Sequence, residues 1–322
     1  MKNSKILVIA PIMFHYHEAL INELKKDNEI MFFADQPQGA LTALLRKVNS
    51  NYSSLYYKKI LKKIKDFKFD YFLMINGKGV TREFLIELRK LSKNAKFITY
   101  QWDSIARNQI ERKTDYRYFL DLFDKSYSFD YEDVENIESL DYLPTFHTAT
   151  QILENWIERE IDYLMVASYT KERYSFVKKV KKEFIKRNLN FACHLYIPWH
   201  HYLRNIVMKG EYANPKYLKF HTLSKTEVLN MYLNSKSTID IQYKYQKGYT
   251  MRVIEGLAYG CKIFTTNKDI IKENFYSNNS IKIFDQKDFW KVFDKDFLDR
   301  KVFKNEEIEK FNLTNWIENV FK

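Results

Sequence analysis

The chain has 322 residues and carries 53 Lys and Arg against 41 Asp and Glu, a formal charge of +12. At ~150 residues per domain this length fits two domains, and 45% apolar with 29% charged residues excludes wholesale disorder. Seven Gly and five Pro exclude collagen-like and Pro-rich architectures, and two cysteines without a CxxC pair exclude a disulfide scaffold or zinc cluster.

Met1-Lys2-Asn3-Ser4-Lys5 leads into the apolar run Ile6–Ala10 and then directly into Pro11 and His15. That run is too short for a good signal peptide and reads as a first buried strand. No stretch approaches the ~20 apolar residues that span a bilayer. The expectation is a cytoplasmic protein, or one held peripherally on the inner face of the membrane.

Strand-like runs follow in the first half at Lys5–Ala10, Glu29–Ala34, Asp70–Ile75, Lys96–Tyr100 and Lys125–Phe129. Helices are predicted between them, near 16–27, 52–66, 81–93 and 104–122, with Thr81 opening the third. Short apolar strands alternating with amphipathic helices predict a mostly parallel sheet covered on both faces. Its strands would end at Pro11–His17, Asp35–Gly39, Asn76–Gly79 and Gln101–Arg107, the edge at which such sheets bind ligands. Around 139–160 the pattern loosens. A second series then predicts strands at 161–168, 190–197, 217–221, 237–242, 262–266 and 281–284, and helices at 171–188, 224–234, 250–259 and 286–295. The tail at 303–320 reads as further helix. Neither half repeats the other. The predicted layout is an α/β chain with a first domain at 1–155 and a second at 156–302.

Gln246–Asn267 (QKGYTMRVIEGLAYGCKIFTTN) is the densest signal. Gly248 frees the chain before a helix that Thr250 can cap, Gly260 ends it, and Lys262–Thr265 is the next strand. A helix start offers unpaired N–H groups to phosphate, and Arg252 adds a guanidinium fork. Glu255 lies one turn on and can accept from ribose hydroxyls. The plain alternative is a capped helix with an Arg–Glu pair. A second cationic loop, Ser168–Arg173, follows an earlier strand, so Arg173 meets the same phosphates if the two strands are neighbours.

The runs Ile239–Gln242, Gln246–Arg252, Glu255–Leu257 and Lys262–Ile270 resemble bacterial GT-B glycosyltransferases, nearest those of capsule, lipopolysaccharide and O-antigen loci. Asn274–Tyr276, Asn279–Ile281, Asp285, Tyr127–Asp130, Leu143-Pro144 and Ser168 with Arg173 extend the resemblance over most of the chain, strongest at about 239–285. It implies two Rossmann-like domains facing across a cleft, with the nucleotide-sugar donor mainly on the second. It also implies a last helix, 303–322, returning to the first. The implied activity is sugar transfer from a nucleotide sugar to a glycan or lipid-linked glycan of the cell surface. The sequence departs from one common pattern of retaining members, Glu-seven residues-Glu: Glu255 fits the second position, but Lys247 occupies the first.

Glycosyl transfer needs the leaving diphosphate stabilised and the acceptor hydroxyl activated. Arg173, Lys247 and Arg252, with Gly248, Thr250 and the helix start, are the donor-side candidates, and Glu255 the ribose partner. No persuasive DxD motif is present, so the expectation is transfer with no metal and no cofactor beyond the nucleotide sugar. His17 and Asp103 follow first-domain strands and are the acceptor-side candidates. A packed histidine and a helix-capping aspartate are the bland readings of the same residues. His194, His200 and His201, around Pro198-Trp199, line either a nucleobase pocket or a surface loop. Tyr56–Lys65 is amphipathic, either a solvated helix face or a contact for anionic lipid. Nucleic-acid binding fits the charge, but no RNP, GXXG, zinc-finger or helix-turn-helix signature supports a specific nucleic-acid partner. A non-catalytic sugar-binding subunit remains a competing reading. A dinucleotide-dependent oxidoreductase would need a GxGxxG turn, and Gly77-Lys78-Gly79 is not one.

Overall fold

The computed structural model describes residues 2–38, 52–112, 115–149, 158–299 and 306–322. The sequence-based boundaries at 155/156 and 302/303, and Gly39, lie outside these residues. The chain forms two compact units. One holds the residues through Thr145 with Lys244–Gly248 and Leu313–Lys322, and the other holds Phe146–Tyr243 and Tyr249–Asn312.

The first unit is built on a six-stranded sheet: β1 Lys5–Ala10, β2 Glu29–Ala34, β3 Tyr71–Ile75, β4 Lys96–Gln101, β5 Lys125–Ser128 and the short β6 Asp141–Tyr142. The order is β2-β1-β3-β4-β5-β6 and every pairing is parallel. Ile6, Leu7, Val8 and Ile9 of β1 have no exposed surface, as an interior strand covered on both faces requires. The helices are α1 Tyr16–Leu24, α2 Tyr52–Lys63, α3 Arg82–Leu91, α4 Ile105–Arg112 and α5 Tyr131–Asn136. Thr81 caps α3, accepting from the Phe84 N–H. The predicted 104–122 helix is instead α4 followed by a 3₁₀ segment, Tyr116–Leu122, which Asp115 opens by accepting from the Arg117 N–H.

The second unit contains β7 Ile161–Ser168, β8 Phe191–Tyr196, β9 Ser235–Asp240, β10 Lys262–Thr265 and β11 Ile281–Ile283, all parallel, in the order β11-β10-β9-β7-β8. Its helices are α6 Lys171–Lys186, α7 Trp199–Lys209, α8 Lys225–Leu233, α9 Met251–Ala258, α10 Lys295–Asp299 and α11 Glu306–Glu309. Tyr163, Phe184, Phe264 and Phe289 meet ring to ring in its core. Each such ring removed from water contributes about 2–3 kcal/mol. Gly256 lets α9 lie close on the sheet, since a Cβ there would run into Ile263 and Thr238 side chains.

Further elements of the second unit depart from expectation. The 217–221 stretch contributes only a single bridge, Tyr196 to Lys219, rather than a strand. The 286–295 helix is reduced to a 3₁₀ turn, Phe289–Lys291. And α7 forms where the sequence reading places no helix, with Pro198 at its start and Gly210 (φ 63°) closing it. The last helix, α12 Leu313–Phe321, belongs to the first unit. There Thr314 donates to Glu23 of α1 at 2.9 Å, Trp316 meets Tyr100 edge-on at 4.8 Å, and Phe321 meets Tyr71 at 5.2 Å.

Candidate functional site

In the second sheet β7 is followed in sequence by β8 on one side, and the chain then returns to place β9 on the other. The strand order reverses between β7 and β9, and the carboxyl ends of such a pair open the usual ligand crevice. Three charged residues gather there.

Asp240 closes β9 and is 1% exposed. Its Oδ1 accepts from Arg252 Nη2 at 2.7 Å, Arg252 Nε at 3.0 Å and the Thr250 hydroxyl at 2.9 Å. Its Oδ2 accepts from the Thr265 hydroxyl at 3.2 Å. Asp240 and Thr265 were missed as site residues by sequence reasoning. The signal available was a lone acid ending an apolar strand, immediately upstream of the Arg252 helix. Thr250 is placed at the N-cap but makes no side-chain cap bond, because its hydroxyl proton goes to Asp240. The start of α9 therefore carries no side-chain cap, and its first N–H groups point out of the helix. Arg252 keeps 21% of its side chain exposed, and Nη1 has no hydrogen-bond partner among the described residues. Burial opposes its charge, but Asp240 outweighs burial and raises its pKa.

Arg173, in the first turn of α6, is 1% exposed. Its Nε and Nη2 donate to the Ile241 carbonyl at 2.9 and 2.6 Å, and Nη1 donates to the Ser168 carbonyl at 3.0 Å. Tyr243 lies 4.4 Å beneath the guanidinium. Burial, and then the charge of Arg252, push its pKa down to about 10. The two arginines thus feel each other, as two cations do when they share one locus. Three of the five N–H donors of Arg173 hold backbone, so it fixes the β7 and β9 ends as well as charging them.

Glu255 is 1% exposed, and its carboxylate accepts from the Thr148 hydroxyl at 2.9 Å and the Thr148 N–H at 3.4 Å. It is thus held by protein rather than presented to solvent. Lys247 and Gly248 belong to the first unit. Their N–H groups donate to Asp130 Oδ2 at 2.8 and 3.2 Å, and a Cβ on Gly248 would collide with the Phe129 carbonyl.

The edge of the first sheet is acidic. Asp130 has no exposed surface and accepts only from backbone, the Glu132 N–H at 3.0 Å besides those of Lys247 and Gly248. Burial raises its pKa. Asp133 accepts from the Ile105 N–H at 2.9 Å, the Ala106 N–H at 3.3 Å and the Ser128 hydroxyl at 2.7 Å. Burial, and then the charge of Asp130, push it up to about 7. Asp133 and Ser104 thereby satisfy the start of α4, with Ser104 Oγ accepting from the Arg107 N–H at 3.3 Å. The capping reading of Asp103 is corrected: Asp103 instead pairs with Arg107 at 3.2 Å and accepts from Asn76 Nδ2 at 3.2 Å. Asn76, another residue missed from sequence, also accepts from the Trp102 N–H at 3.0 Å and adopts φ 56° beside Gly77 at φ 79°. Its Asn-Gly dipeptide at a strand end was the available signal. Trp102 is buried at 6% exposure rather than open to a sugar. His17 opens α1 half-buried, its ring 6.1 Å from Phe32, and its Nδ1 is buried with no partner among the described residues. His194 is tied through Nε2 to the His221 carbonyl at 3.0 Å, whereas His200 and His201 are exposed on α7.

Among the described residues no group of three or more His, Cys, Asp or Glu could hold a metal ion. No helix among them is long and apolar enough to cross a membrane.

No protein family's sequence profile matches the chain, and no curated protein sequence matches it. Solved structures do match its fold. A trehalose-6-phosphate protein from E. coli bound with UDP-2-fluoro glucose superposes with TM-score 0.61 at 11% identity, over 99% of this chain and 98% of that one. The Rickettsia africae glycosyltransferase gives 0.57 at 11% identity, over 100% and 97%. The Methanocaldococcus jannaschii UDP-GlcNAc 2-epimerase, in complex with UDP-GlcNAc and UDP, gives 0.56 at 10% identity, over 98% and 99%. The fold is the two-Rossmann-domain GT-B architecture. At these identities the likeness speaks for the fold alone.

Proposed function

We propose that the chain is a glycosyltransferase that binds a nucleotide sugar at the carboxyl edge of its second sheet. The sugar passes to a hydroxyl of a capsule or lipopolysaccharide glycan. The observation that carries this reading is Arg252, clamped by buried Asp240 beside an uncapped helix start, with Arg173 near enough to feel its charge. Such a locus suits a diphosphate. Nη1 of Arg252 and the first N–H groups of α9 would meet the negative charge that grows on the leaving group as the glycosidic bond breaks. Charge compensation by arginines makes the proposed transfer metal-independent. Lys247 adds a further cation, Gly248 and Thr250 shape the backbone, and Glu255 serves the ribose once its bond to Thr148 exchanges. His17 is the preferred acceptor base, because it follows the first strand and its ring is only half-buried, and Asp103 is the alternative.

Epimerisation of a nucleotide sugar is the second reading, favoured by the fold shared with the M. jannaschii epimerase. The deciding experiment first ranks UDP, GDP, CMP and their sugars by the rise in melting temperature. The selected sugar nucleotide is then incubated with and without a glycan acceptor, after metal removal and with EDTA. Transfer expects free nucleoside diphosphate and an extended glycan only when acceptor is present. A new sugar nucleotide formed without acceptor would favour epimerisation. No stabilisation by any nucleotide would overturn both readings.

A further inference from the structure

Among the described residues, helix α7 carries the densest set of exposed large apolar side chains. None of its residues is fully buried. Trp199 is 63% exposed, Leu203 47%, Val207 81% and Met208 72%. Trp199, Leu203 and Val207 stand four residues apart and form one stripe along the helix. An adjoining side anchors it: Tyr202 donates to the Ala213 carbonyl at 3.0 Å and its ring meets Phe220 at 5.4 Å. The stripe is thus held outward by a seated helix.

Charge names the partner. Trp199–Lys209 contains no Asp or Glu, but does contain Arg204 and Lys209. The nearest carboxylate in sequence, Glu211, is already paired with Lys171 at 2.7 Å. A second copy of a chain at +12 would meet like charge here, whereas an anionic surface meets opposite charge. Apolar side chains with a Trp, flanked by cations, suit the boundary between lipid headgroups and acyl chains. The lysine-rich helix α2 offers less of this combination: its Tyr57 and Ile60 are buried in the core, and Leu55, 51% exposed, is its one large apolar side chain facing out among the described residues.

We propose that α7 docks on an anionic phospholipid bilayer. Trp199, Leu203 and Val207 enter the headgroup–acyl boundary, and Arg204 and Lys209 meet lipid phosphates. The inference stands independently of the sugar chemistry.

The test is sedimentation of the full chain with phosphatidylcholine vesicles, with and without phosphatidylglycerol, alongside tryptophan quenching by brominated acyl chains. The expected result is binding that needs phosphatidylglycerol, with quenching that Trp199→Phe removes while binding persists. A Leu203→Ser/Val207→Ser double variant should bind about tenfold more weakly or less, on the scale of one to two buried aliphatic side chains. Its melting curve should be unchanged, because both side chains are already exposed. Three outcomes overturn the proposal: no sedimentation with anionic vesicles; equal binding by the double variant without quenching, which assigns adhesion to lysines elsewhere; or a dimer in solution that the double variant abolishes.

Discussion

Asp240 and Asp130 are both buried carboxylates at the carboxyl edge of a parallel sheet, yet they are compensated differently. Asp240 faces a guanidinium and two hydroxyls. Asp130 faces three backbone N–H groups and lies in the field of a second buried acid, Asp133. In the second unit the carboxylate orients a cation and leaves its Nη1 unused, an arrangement suited to an anionic ligand. In the first unit the carboxylates hold backbone: the start of α4 through Asp133 and the Lys247-Gly248 segment through Asp130. Burial without a cation favours the protonated acid. The two edges therefore differ in what a substitution or a pH change does.

The largest expected effect is at Arg252. Arg252→Ala should lower kcat/KM by roughly 10²-fold or more, the scale of losing one strong electrostatic donor. It should also destabilise the fold by about 3 kcal/mol, because Asp240 is left buried without its cation. Adding Asp240→Asn should recover most of that stability and none of the transfer, as read by denaturant melts and steady-state kinetics. Recovery of both would make the pair structural only.

Gly248→Ala comes next. The Phe129 carbonyl leaves no room for a Cβ, so the variant should lose about 2 kcal/mol by overpacking. Urea titration checks this, and an unchanged midpoint would mean the segment sits elsewhere in solution.

Asp133 tests the cation-free edge through pH. Its folded-state pKa of about 7 lies above the unfolded value, so the folded protein keeps a proton that the unfolded chain releases. That contribution is most favourable at low pH and is lost as pH rises from about 4 towards about 7, flattening above. Asp133→Asn, which cannot titrate, should gain a few degrees in melting temperature over the parent at pH 8 and less at pH 5. Parallel melting-versus-pH curves for the two proteins would contradict the raised pKa.

The smallest effect is at Thr148. Thr148→Val removes one hydroxyl from Glu255 and should cost about 1 kcal/mol. If Glu255 serves a ribose, nucleotide affinity measured by calorimetry shifts as well. A stability change with unaltered affinity would confine Glu255 to packing.

Much of the framework is written locally. The β1 run Ile6–Ala10, the capping residue Thr81, and the Gly260 stop after α9 each act on their own few residues, so periodicity and turn chemistry reveal them. Helix α7 was obscured because its outward stripe, Trp199, Leu203 and Val207, faces away from the core, so the usual apolar-inward pattern is inverted. The 217–221 stretch reads as a strand by composition but finds only one bridging partner. The order of strands is not local at all. Sequence shows a cationic loop at Ser168–Arg173 and another at Thr250–Arg252, some eighty residues on. Only the pairing of β7 with β9 brings Arg173 into the field of Arg252. Likewise, only folding shows that the Thr250 hydroxyl serves Asp240 rather than its own helix, and that Glu255 is held by Thr148. Side-chain periodicity fixes which face of an element is buried, but hydrogen-bond partners far apart in sequence are chosen by the sheet order that the packed chain adopts.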